Sequence, residues 1–187
     1  MQLLRDSLGI GFVALALAGC AEDAPTLPPP APDPAPVASS CGAAGYVKAT
    51  LSGGLNAGVD WQDPELSCES MGRPDNRGVR LRFAGDVAGE RLAIIIALPE
   101  LDAGETGAEF DSIVTITVDG SGRFFSTPNL GACWTDVDTN TPVAGMDGPY
   151  VVAGRVTCVG PLGEFNGDAY VDVRDLNFSG IADWNGT

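Results

Sequence analysis

From Cys41 to the C-terminus, short β-like runs recur roughly every 8–15 residues, each cut off by Gly, Pro, Asn or Asp. That recurrence limits the fold more than any other feature. Tyr46–Leu51 alternates and ends at Gly53-Gly54, and Leu66-Ser67-Cys68 is a short run. In 79–83, Val79, Leu81 and Phe83 share one face while Arg80 and Arg82 share the other. Leu92–Leu98 is apolar throughout and ends at Pro99, as a strand buried on both faces would. Ile113–Val118 leads into Asp119-Gly120, a hairpin turn signal, with Arg123–Ser126 as its partner. Further runs are Cys133–Val137, then Tyr150–Val152 and Gly154–Val159 as one strand or two, Tyr170–Val173, and Leu176–Trp184. None of these segments has a helical period. The pattern predicts an all-β fold, an antiparallel β-sandwich, with a β-barrel as the alternative. Trp61, Trp134 and Trp184 are expected to be core or edge aromatics; an exposed one would offer a stacking surface for carbohydrate.

The N-terminus has a different composition. Arg5 precedes an apolar stretch from Leu8 to Ala18, which is signal-peptide length and too short to span a bilayer. It closes on Leu17-Ala18-Gly19-Cys20. This tetrapeptide resembles the lipobox of bacterial membrane lipoproteins. The resemblance implies cleavage before Cys20, lipidation of its thiol and attachment to a membrane. Ala21 stands where Asp would be the inner-membrane retention signal, so the resemblance points to the outer membrane.

Residues 21–40 contain seven prolines, which disfavour helix and sheet and promote extended polyproline II or disorder. Fully extended, this linker reaches about 60 Å. The expected organisation is a signal peptide at 1–19, the lipidated Cys and Pro/Ala-rich linker at 20–40, and a β domain at 41–187. A domain of that size buries roughly two thirds of its unfolded surface, enough for an independent core.

With Cys20 assigned to the lipid, Cys41, Cys68, Cys133 and Cys158 remain. An even count in an exported domain predicts two disulfides, with three connectivities open. Cys41–Cys68 and Cys133–Cys158 are expected, because each pair flanks neighbouring strand candidates. No close CxxC pair suggests zinc.

The formal net charge of −15, from 25 acidic and 10 basic residues, disfavours nucleic acid and anionic lipid as partners. Cations and neutral ligands fit better. The chain has no histidine, which removes Ser-His-Asp and Cys-His catalysis. Lys48 is the only lysine available for amine chemistry.

The most motif-like stretch is Glu164 to Leu176. Glu164, Asn166, Asp168, the Tyr170 carbonyl, Asp172 and Asp175 fall at loop positions 1, 3, 5, 7, 9 and 12. The spacing resembles a single calcium loop of the dockerin or EF-hand-like kind, which implies those six as calcium ligands. Glu replaces the usual Asp at position 1, and Ala169 replaces the turn Gly at position 6. A β-hairpin explains the same residues: Asn166-Gly167 is a turn signal. The apolar phase shifts from Val171 and Val173 to Leu176 and Phe178, predicting a bulge near Asp175.

Other acids cluster near tryptophans: Asp60, Asp63 and Glu65 around Trp61, and Asp136 and Asp138 after Trp134. Paired carboxylates across a cleft would suit glycoside hydrolysis, but exposed loop acids are the default. The sequence therefore predicts a non-enzymatic, lipid-anchored envelope protein with no catalytic residue and no cofactor beyond the calcium the loop would take. Its partners are the membrane and an envelope protein or polysaccharide. The alternatives are a carboxylate-dependent glycoside hydrolase and a calcium-dependent adhesion module.

Overall fold

A computed structural model describes residues 41, 42, 44–72 and 77–184. The expected signal peptide, Cys20 and the expected linker to residue 40 lie outside the described residues. Eleven strands follow in order: β1 (Tyr46–Gly53), β2 (Ala57–Gln62), β3 (Ser67–Gly72), β4 (Val79–Val87), β5 (Glu90–Leu98), β6 (Gly107–Val118), β7 (Arg123–Ser126), β8 (Cys133–Pro142), β9 (Pro149–Cys158), β10 (Leu162–Glu164) and β11 (Tyr170–Asp183). Every pairing is antiparallel. The domain is all-β and sandwich-like.

The topology becomes simple once two strands are seen as interrupted. Both β7 and β8 pair with β6, at Ser126↔Thr115 and Cys133↔Ser112. Both β9 and β10 pair with β11, at Val156↔Leu176 and Leu162↔Val171. Residues 127–132 and 159–161 are therefore excursions within two otherwise continuous strand paths. The excursions are joined where the Val159 N–H donates to the Ala132 carbonyl at 3.0 Å. The sheet runs from the edge strand β2 through β1, β11, the two interrupted strands, β6, β5 and β4 to the edge strand β3. Among the described residues no ladder joins β2 to β3, so the sheet stays open.

The sheet folds back on itself, with β11 packed against β3 and β4 and β2 against β4. Alternation supplies the core between the layers: Val79, Leu81 and Phe83 from β4, Ile94 and Ile96 from β5, Ile116 from β6, and Leu176 and Phe178 from β11 are buried. The Phe83 and Phe178 rings meet at 5.9 Å. The Leu92–Leu98 run is buried as expected, except that Ile95 is half-buried on the outer face.

Two devices close the seam between β2 and β3. The Cys41 and Cys68 sulfurs stand 2.05 Å apart and tie the residues before β1 to β3. Trp61 of β2 crosses to β4, where its indole N–H donates to the Asp86 carbonyl at 3.0 Å. Gly85 makes room for the indole, since a Cβ there would meet the ring at 2.6 Å. Cys133 and Cys158 face each other across β8 and β9, with sulfurs 2.00 Å apart. Both pairings are those expected from strand adjacency.

Candidate functional site

Glu164 to Asp175 forms a β-hairpin rather than a wrapped loop. Chain reversal at residues 165–169 uses Asn166 in the left-handed region at φ 59°, which Asn tolerates better than most residues. The Glu164 N–H donates to the Ala169 carbonyl at 2.9 Å and closes the turn. Gly167 lies against the Glu164 carboxylate, so a side chain there would have to displace the Glu164 side chain.

Glu164 points inward and meets Arg123 of β7. The Arg123 Nε donates to Glu164 Oε1 at 2.5 Å, and the guanidinium lies over the Phe125 ring at 5.1 Å. This hydrogen bond holds the Glu164 carboxyl below the usual carboxylate range against the opposing effect of partial burial; the Ala169 amide adds to it. The same bond raises Arg123.

The other five residues of the calcium-loop resemblance diverge. Asn166 and Asp168 sit at the turn, while Tyr170, Asp172 and Asp175 are spaced along β11. An extended strand covers about 3.3 Å per residue, so these three positions are spread along β11 rather than gathered in one turn. Among the described residues no group of three or more His, Cys, Asp or Glu side chains could hold a metal ion. The predicted bulge is present: Lys48 pairs with Asn177 but Thr50 with Arg174, and Asp175 takes φ 53°.

The acids near tryptophan do not form a pair across a cleft. Trp61 is buried, while Asp60 and Gln62 point to the opposite face of β2. Asp60 is 3.3 Å from the Lys48 ammonium. Asp63 and Glu65 are exposed after β2. Asp136 accepts the Glu109 N–H at 3.0 Å, and Asp138 is exposed. Trp134 is half-buried, and Trp184 packs edge-on against Tyr150 at 5.3 Å.

A cleft of about 380 Å³ lies where the chain enters the domain, between Tyr46, Lys48, Gln62 and Asp63. A second, of about 300 Å³, lies between β9 and β11 at Arg155, Thr157, Arg174 and Asp175. The second arises from the interruption of the β9–β10 path: residues 172–175 of β11 pair with neither β9 nor β10. Sequence reasoning missed this notch. Its signal was the bulge at Asp175, which marks where a neighbouring strand must break register.

The exposed aromatics were also missed as a group. Phe165 and Tyr170 are exposed, and Phe165 stacks on Phe124 at 4.7 Å. Their signal was the Phe124-Phe125 pair, since in a strand one of two adjacent rings must face outward. Comparison with family models, curated proteins and solved structures finds no match to this chain.

Proposed function

We propose that this chain is an exported lipoprotein, anchored through lipid on Cys20, whose β domain acts as a non-enzymatic binding or structural module at the cell envelope, on the outer membrane. The observation that carries the reading is the cysteine pairing. Cys41 with Cys68 and Cys133 with Cys158 use all four cysteines after Cys20. That pairing needs no contribution from Cys20, the residue whose thiol the lipobox resemblance assigns to lipid. Two disulfides also belong in an oxidising compartment, which export supplies. The strand order supports a scaffold role: an open sheet stapled at its seam presents a large fixed face.

Fractionation of cells expressing Cys20→Ala tests the anchor. The native chain is expected in the membrane fraction and the variant in the soluble fraction. A variant recovered wholly with membranes would overturn the lipid anchor.

A further inference from the structure

Register aligns an unusual set of residues on the outer face of the sheet. Thr115 of β6 stands opposite Ser126 of β7, Ser126 opposite Gly163 of β10, and Gly163 opposite Tyr170 of β11. The Thr115 and Ser126 hydroxyls are 3.0 Å apart. Beside this row, the Phe124 and Phe165 rings stack at 4.7 Å with 18° between their planes. Phe165 is 61% exposed and Tyr170 54% exposed. Gly163 is also exposed, and a Cβ there would meet nothing within 4 Å. A bare stretch of backbone is thus bordered by aromatic rings on one side and hydroxyls on the other.

The same face continues along β11 into the notch between β9 and β11. Asp172 and Arg174 alternate with the inward Val171 and Val173. Arg174 and Arg155 line the notch, roughly 13 Å from Tyr170 along the strand. The Arg155 Nε donates to Asn177 Oδ1 at 3.2 Å, which fixes the guanidinium and leaves its other N–H groups to solvent. Among the described residues, Arg155 and Arg174 form no ion pair, whereas Lys48, Arg82, Arg91 and Arg123 all do.

An exposed ring takes up an apolar surface, and its negative face attracts weakly positive C–H groups. Hydroxyls, guanidinium groups and carboxylates side by side both donate and accept hydrogen bonds. A pyranose chain shows both required surfaces, a C–H face and a rim of hydroxyls. Charge narrows the class. Two arginines balance Asp172 and Asp175 on this strip, inside a chain of net charge −15. A polyanion is repelled by the chain as a whole, and the strip, with its charges balanced, gives a cation no local net attraction. An uncharged ligand suits such a strip.

We propose that the outer face of β7, β10 and β11, from the Phe124–Phe165 stack across Gly163 and Tyr170 to the Arg155–Arg174 notch, binds a neutral oligosaccharide chain. This rests on the domain being a binding module, and it names the ligand class. The anchor is tested separately through Cys20, so a failure here leaves that result standing.

The test is calorimetric titration of the full chain, purified in detergent, with cellohexaose, maltohexaose and chitohexaose. Hexagalacturonate serves as the charged counterpart. Gly163→Leu fills the bare position, and Phe165→Ala removes an exposed half of the stack. Both sites are solvent-facing, so melting curves should stay close to the native one. Binding of at least one neutral sugar is expected, weakened roughly tenfold or more in Phe165→Ala by loss of ring surface and in Gly163→Leu by steric block. No binding by any neutral sugar at about 10 mM would overturn the proposal. So would native affinity in both variants, or tighter binding of hexagalacturonate than of every neutral sugar.

Discussion

Arg123 of β7 and Glu164 of β10, 41 residues apart in sequence, share a 2.5 Å hydrogen bond that joins the final hairpin to its neighbouring strand. Its pH dependence follows from the sign of the shift. Glu164 is held below its ordinary value in the folded state, chiefly by Arg123. The stability it contributes is therefore complete above the ordinary carboxylate range and is lost as pH falls through the folded value. Glu164→Gln should melt below the native chain at neutral pH, and the gap should narrow as pH drops below that range. A gap independent of pH would contradict the pairing.

The Trp61–Gly85 contact predicts an intolerant glycine. A methyl group at Gly85 would sit 2.6 Å from the indole, whose N–H is committed to Asp86. Gly85→Ala should cost about 1–3 kcal/mol through overpacking, read by denaturant melts, with a change in tryptophan fluorescence. A smaller loss would mean the seam can open to accept the methyl.

Each disulfide closes a loop of similar length, with sequence separations of 27 and 25. The chain-entropy argument gives each about 3.5 kcal/mol. The double variants Cys41→Ser/Cys68→Ser and Cys133→Ser/Cys158→Ser should each lower the melting temperature by about 10 °C. No change in either would show that the bond does not form in solution.

Excess calcium should leave the melting temperature unchanged. Glu164 is engaged by Arg123, and Asp172 and Asp175 are spaced along a strand. A ligand that binds only the folded state would raise the midpoint. A rise of several degrees would show that the folded domain takes calcium.

Much of the fold was legible because alternation survives in strands with one buried face. Val79–Phe83, Ile113–Val118 and Arg123–Ser126 are strands as read, although β6 begins earlier, at Gly107. The misses have physical causes. Strand β2 was hidden because Gly58 and Asp60 are poor strand formers, and its place is secured by the buried Val59 and Trp61. Tyr170–Val173 and Leu176–Trp184 looked like separate segments. They are one strand, because Asp175 absorbs the phase change at φ 53° while β1 pairs across it. The candidate binding face was illegible for a different reason. Thr115, Ser126, Gly163 and Tyr170 come from four strands and meet only through register.

The central claim is that the domain is held at a membrane by lipid on Cys20. Intact mass spectrometry of the mature protein, with sequencing of its N-terminal peptide, tests it most directly. The account predicts an N-terminus at Cys20 carrying a diacylglyceryl-sized mass addition. A mature N-terminus elsewhere, or an unmodified Cys20, would contradict it.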